Sequence, residues 1–242
     1  MSSPATARPS LLESLQGLIE RTYRMVTGVR EIGRFVIGDE GYRRLYTAGG
    51  GAASRAPGPP PPAAAGAAGG GARVLVRDGP TGVAARIYYP DILIQTLETH
   101  PPTRGLGEPN VDPFAVFVEE LDHFLLIAER TRRGRPVSLL ELEMHANVTK
   151  YLVCALFLSR SSKAPRGGRA AAEDRLWLRW HLFEKAEFNE PDPEVQTRYR
   201  DAARYAHRFL DRLDAEPTAP ARLARLRAFH DSSPQQKLQL FG

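Results

Sequence analysis

The stretch EELDHFLLIAERTRRGRPVSLLELEMHANVTKYLVCALFL, residues 119–158, decides the fold class. Its apolar residues recur at helical spacing on both sides of an arginine-rich turn, which predicts one helix over 112–132 and a second over 138–158. Ser138 and Glu141 have the S-x-x-E spacing of a capping box at the start of the second helix. Because YLVCALFL (151–158) is apolar on every side, the second half of that helix is expected to be buried all round.

Working outward, the same periodicity predicts helices at 173–188 and 193–213 and a short one near 219–230. Before the central pair, Pro90-Asp91 opens a short helix in DILIQTLETH. Leu11, Leu12, Leu15, Leu18, Ile19 and Val26 repeat at helical spacing after Ser10, a candidate cap. A shorter helix, interrupted by Gly33, Gly38 and Gly41, is expected to follow. The β signal is ARVLV and VAARIYYP flanking the turn RDGPTG, which reads as a hairpin. A lone hairpin is marginal in water and must pack on helices or lengthen a sheet. The expected fold is mainly α: a helical bundle of about six to eight helices with one small β-hairpin.

Residues 48–72 are Ala, Gly and Pro apart from Ser54 and Arg55, a composition too poor in core-forming side chains to offset the entropy of ordering. They read as a flexible linker that divides an N-terminal helical segment, 1–47, from a body, 73–242. A lesser break falls at 159–172. The N-terminal helices are expected to dock on the rest of the chain or on another copy, because two helices alone bury little surface.

Composition narrows the function classes. An apolar share of 42% and a charged share of 25% fit a globular chain rather than a disordered one. No run approaches the roughly 20 apolar residues of a membrane span, and the start MSSPATARPSLLESLQ lacks the pattern of a secretory signal. A cytoplasmic location is therefore expected. The net charge is +5, with 29 of the 33 basic residues arginine. Arg130, Arg132, Arg133 and Arg135 form the one tight basic cluster, in the expected interhelical loop. No nucleic-acid-binding motif accompanies it, which argues against nucleic acid as a partner. The P-loop, the nucleophile elbow and the dinucleotide fingerprint are all missing from the sequence. The single cysteine, Cys154, lies in the most apolar stretch and suits packing rather than nucleophilic chemistry.

The informative residues are polar groups on apolar faces. At about 100° per residue, Glu120 falls among Val116, Phe117, Phe124 and Ile127, with His123 at the margin of that face. Asp122 and Glu129 fall opposite, on the side expected to meet solvent. In the next helix His145 shares a stripe with Glu141, Val148, Leu152 and Leu156, whereas Glu143 and Lys150 share one that reads as exposed. A third group, His181 and Glu184, sits among Trp177 and Trp180.

An unpaired buried carboxylate is costly, so such groups are protonated, paired or metal-bound. Imidazole and carboxylate together suit zinc, iron or manganese. Glu120 and His123 have the E-x-x-H spacing used in di-iron bundles, but those bundles carry two such motifs and two further glutamates. Only one occurs here, since His181-x-x-Glu184 runs in reverse. The candidate ligands are Glu120, His123 and His145, followed by His181 and Glu184. Two functions follow as expectations. The first is a non-catalytic interaction or self-association module with a protein partner or a second copy. The alternative is a metal-binding protein or metal-dependent enzyme with a Glu/His site in the helical core.

Overall fold

The computed structural model describes residues 9–47, 71–79, 82–160, 168–185 and 192–239. Most of the expected linker, 48–70, and the middle of the lesser break, 161–167, lie outside the described residues. Helix α1 (Leu11–Tyr23) begins at a full capping box, in which the Ser10 hydroxyl accepts from the Glu13 amide and the Glu13 carboxylate accepts from the Ser10 amide. The expected broken helix resolves into three pieces: a 3₁₀ turn (Ile32–Phe35), strand β1 (Val36–Ile37) and α2 (Asp39–Thr47). Gly38 separates the last two because a Cβ there would collide with the Asp91 carboxylate, which accepts a hydrogen bond from the Asp39 amide.

Strands β2 (Arg73–Gly79) and β3 (Gly82–Tyr88) form the expected antiparallel hairpin. It is not left as a pair, because β1 adds to the other side of β3 in parallel, with Val36 opposite Ile87 and Ile37 opposite Tyr88. The sheet order is β1-β3-β2. The third strand supplies what a two-stranded ribbon lacks in water. Tyr89, immediately after β3, fixes the sheet to the bundle: its hydroxyl donates to the Phe117 carbonyl at 2.7 Å, and its ring stacks on Phe117 with centroids 4.6 Å apart.

The remaining elements are α3 (Asp91–Thr99), α4 (Val111–Arg132), α5 (Leu139–Arg160), α6 (Gly168–Arg179), a π-helical turn (Trp180–Glu184), α7 (Pro193–Asp214), α8 (Ala219–Asp231) and α9 (Pro234–Gln239). The fold is thus a mainly α bundle with a small sheet. Helix α4 is its axis, packed on α5, α1, α3 and the sheet. That position overturns the expectation of a solvent face: Asp122 and Glu129 are both fully buried. A helix enclosed on several sides has no outward stripe, so a face drawn from its apolar residues does not locate solvent.

Two further expectations change in α5. The continuously buried stretch is its first half, Glu141 to Thr149, although this half carries the polar residues; Leu152, Ala155, Leu156 and Phe157 in the apolar half are only partly buried. Glu143, expected to be exposed, is 8% exposed. The Ser138 hydroxyl does accept from the Glu141 amide at 3.1 Å, but the Glu141 carboxylate turns inward to Arg130 and Lys237. Glu141 is therefore a core charge and not the second half of a capping box.

Helix α1 docks on α4 and α8 of its own chain, burying Leu15, Ile19 and Tyr23 in the common core. Truncating Ile19, which is 1% exposed, removes about three methylene equivalents from a packed site. Ile19→Ala is expected to lower unfolding free energy by about 2–4 kcal/mol in a denaturant titration. A loss below 0.5 kcal/mol would show that α1 does not belong to the cooperative core.

Candidate metal centre

The seam between the antiparallel α4 and α5 holds two polar clusters, and they differ in how well they are neutralised. The first lies toward the C-terminal helices. His145 Nδ1 donates to Asp122 Oδ2 at 2.7 Å, and His145 Nε2 lies 3.1 Å from His230 Nδ1 of α8. His230 Nε2 is 2.8 Å from Glu129 Oε2, close enough for an ion pair but not aligned as a hydrogen bond. Arg130 donates to Glu141 at 3.0 Å and to the His230 carbonyl at 2.7 Å. Arg133 reaches Glu129 at 3.0 Å, and Lys237 of α9 reaches Glu141 at 2.6 Å. From α1, Tyr23 stacks against His145 with centroids 4.4 Å apart and shares a hydrogen bond with Thr149. Three carboxylates thus face three permanent cations and two imidazoles. The arginine turn is correspondingly altered: α4 runs through Arg132, and Arg130 is 3% exposed, spent inside the protein.

The second cluster lies toward the sheet. Glu119, Glu120 and His123 are offset by four and three residues on α4, so they share one side of the helix. Glu143 faces them from α5. His123 Nδ1 is 3.6 Å from Glu120 Oε2, and His123 Nε2 is 3.8 Å from Glu143 Oε2. Lys150 Nζ donates to Glu119 Oε2 at 2.6 Å. His123 is 8% exposed, and its Nε2 has no hydrogen-bond partner. Three carboxylates here face one ammonium and one imidazole.

The ionisation of this cluster follows from that imbalance. Burial opposes a charged His123, but Glu120, Glu143 and Glu119 more than offset it and hold the imidazolium up to about 10. Burial pushes the Glu143 carboxyl up to about 7, against the pull of His123 and Lys150. Burial also raises Glu120. Glu119 moves the other way, because Lys150 and then His123 outweigh its burial.

One donor atom each from Glu119, His123 and Glu143 lies within 4.8 Å of the other two. With metal–ligand bonds near 2.1 Å, donors at a tetrahedral ion stand about 3.4 Å apart, so rotamer changes must draw the set together by up to about 1.4 Å to close it. Glu120, on the Nδ1 side of His123, is positioned to orient the imidazole. One imidazole and two or three carboxylates form a donor set of intermediate hardness that accepts Mn²⁺, Fe²⁺ or Zn²⁺.

Of the candidates read from the sequence, Glu120 and His123 come together here. His145 is engaged in the other cluster. His181 sits in the π-helical turn, 2.9 Å from Glu108 through Nε2 and 3.7 Å from Asp112 through Nδ1, so its two nitrogens serve different carboxylates. Glu184 is exposed. Glu119 and Glu143 are the members that sequence reasoning passed over. Glu119 carried a signal, since it stands one turn before His123 just as Glu120 does. Glu143 carried none, because its stripe with Lys150 reads as solvated.

The first cluster sets an acid limit on stability. Burial lowers the His145 pKa below its ordinary 6.5, outweighing the Asp122 carboxylate. Burial works against ionised Glu129 and Glu141 too, but His230, Arg133 and Arg130 around the former, and Lys237 and Arg130 around the latter, bring both below the ordinary 4.5. For each group the unfolded chain binds more protons than the folded one as pH falls, so acid destabilises. Between pH 7 and 4.5 the loss through His145 is opposed by Glu143 and Glu120, whose raised carboxyls favour the folded state on acidification. The decline should therefore set in below 4.5, through Glu129 and Glu141. Thermal melts from pH 7.5 to 3.5 check this, and a melting temperature that holds or rises below 4.5 contradicts it.

No protein-family model matches the chain, and no curated protein or solved structure matches it either, so its function is read from this geometry.

Proposed function

We propose that this protein binds a divalent transition metal, Mn²⁺, Fe²⁺ or Zn²⁺, in the seam between α4 and α5, with Glu119, His123 and Glu143 as ligands and Glu120 beside them. The observation that carries this reading is His123 Nε2, a buried nitrogen without a hydrogen-bond partner, 3.8 Å from Glu143 Oε2 in a group that Glu119 completes as a third donor. A polar core whose purpose is only to fix helix pairing balances its charges internally, as the Asp122–His145 cluster does with Arg130, Arg133 and Lys237. The Glu119–His123–Glu143 cluster does not, and a divalent ion supplies positive charge at the point where the donors meet. An interaction or self-association module built on the N-terminal helices has less support, because the apolar face of α1 is covered by α4 and α8.

The test is metal analysis of untagged protein, stripped with chelator and re-equilibrated separately with Mn²⁺, Fe²⁺ and Zn²⁺. About one equivalent of at least one ion is expected to be retained after desalting. His123→Ala should abolish retention. His145→Ala should keep the ion while losing stability, because it damages the neighbouring cluster. Failure of the wild-type protein to retain any of the three, or full retention by His123→Ala, would overturn the reading.

A further inference from the structure

We infer that Lys150 is a tethered cation that stands in for the metal on Glu119 and leaves when the ion arrives, so that it sets the affinity of the site; this rests on the metal reading above. Lys150 follows Glu143 by seven residues, two turns of α5, so both face α4 from the same side of the helix. Its ammonium lies 2.6 Å from Glu119 Oε2. An ammonium has three donors and no acceptor: it can neutralise a carboxylate but never ligate an ion. It therefore competes for the carboxylate oxygens that a cation would use.

Glu119, with which the ammonium pairs, is the most exposed member of the cluster, its side chain 21% exposed against 10–13% for the other four. The ammonium sits on a flexible four-carbon stem beside that more open end. In the first cluster the buried cation Lys237 is 0% exposed and held between Glu141 and the Phe229 ring, with no comparable exit. A divalent ion among Glu119, His123 and Glu143 would repel the neighbouring ammonium. Swinging Lys150 outward relieves that repulsion without moving the backbone. Metal-free protein is thereby kept folded despite three converging carboxylates, and binding is weakened by the cation it must expel.

Lys150→Met keeps the stem and removes the charge. Isothermal titration with Mn²⁺ and Zn²⁺ is expected to show binding tighter by roughly tenfold or more than in wild type. The metal-free variant should melt at a lower temperature, and the rise in melting temperature on adding the ion should be larger. Lys150→Arg, which retains a charge at the same place, should bind close to wild type. Lys150→Gln provides a second neutral variant should Lys150→Met fold poorly, as judged by circular dichroism. Unchanged or weaker binding in the neutral variants would overturn the inference while leaving the metal site standing; weaker binding would make Lys150 a residue that orients Glu119. Absence of binding in wild type and variants alike would instead sink the metal reading.

Discussion

Charge burial along the α4–α5 seam is the constraint on which the rest of the structure depends. Glu120, Asp122, His123, Glu129 and Arg130 of α4, with Glu141, Glu143 and His145 of α5, are all at most 9% exposed. Eight ionisable side chains between two helices cannot stay there without compensation, because each isolated charge costs several kcal/mol. Much of the architecture serves that need. Tyr23 arrives from α1, His230 from α8 and Lys237 from α9, all converging on the cluster around His145 and Glu141. The C-terminal helices are therefore part of the charge balance of the core as well as of its apolar packing.

The same constraint is met less fully at the other end of the seam. Toward the sheet no element beyond α4 and α5 contributes a permanent cation to Glu119, Glu120 and Glu143 among the described contacts; Lys150 and the His123 imidazole face all three. Two clusters in one seam, built from similar residues, thus differ in charge balance. The difference follows in part from what packs above them: helices carrying Lys237 and His230 on one end, and the hairpin with Tyr89 on the other. The sheet encloses the candidate site without neutralising it.

Helices were legible where apolar spacing or a cap was strong, as at Ser10, Pro90-Asp91 and the central pair. Strand β1 was not, because two residues carry no periodicity and their partners Ile87 and Tyr88 lie some fifty positions away. Helix α9 escaped for a similar reason: PQQKLQ has no apolar face, and it is held by the reach of Lys237 to Glu141, 96 positions back. The candidate site was half legible. Glu120 and His123 stood out because a surface helix should not carry them on its apolar side. Asp122, Glu129 and Glu143 were misassigned to solvent by the same rule, which holds for a helix with one covered face and fails for one enclosed by several elements. Cys154 behaves as its apolar setting implied: it is fully buried, and burial pushes its thiol up to about 12.

The central claim is that the cluster short of positive charge, rather than the charge-balanced one, holds the ion. X-ray absorption spectroscopy of protein loaded with one equivalent of Mn²⁺ or Zn²⁺ tests this most directly, because it counts the imidazoles and identifies the first-row donors around the metal. The account predicts a shell of oxygen and nitrogen only, with a single imidazole, that of His123. A shell with two or more imidazoles would place the ion at His145 and His230, and a sulfur scatterer would place it at Cys154; either would contradict the account.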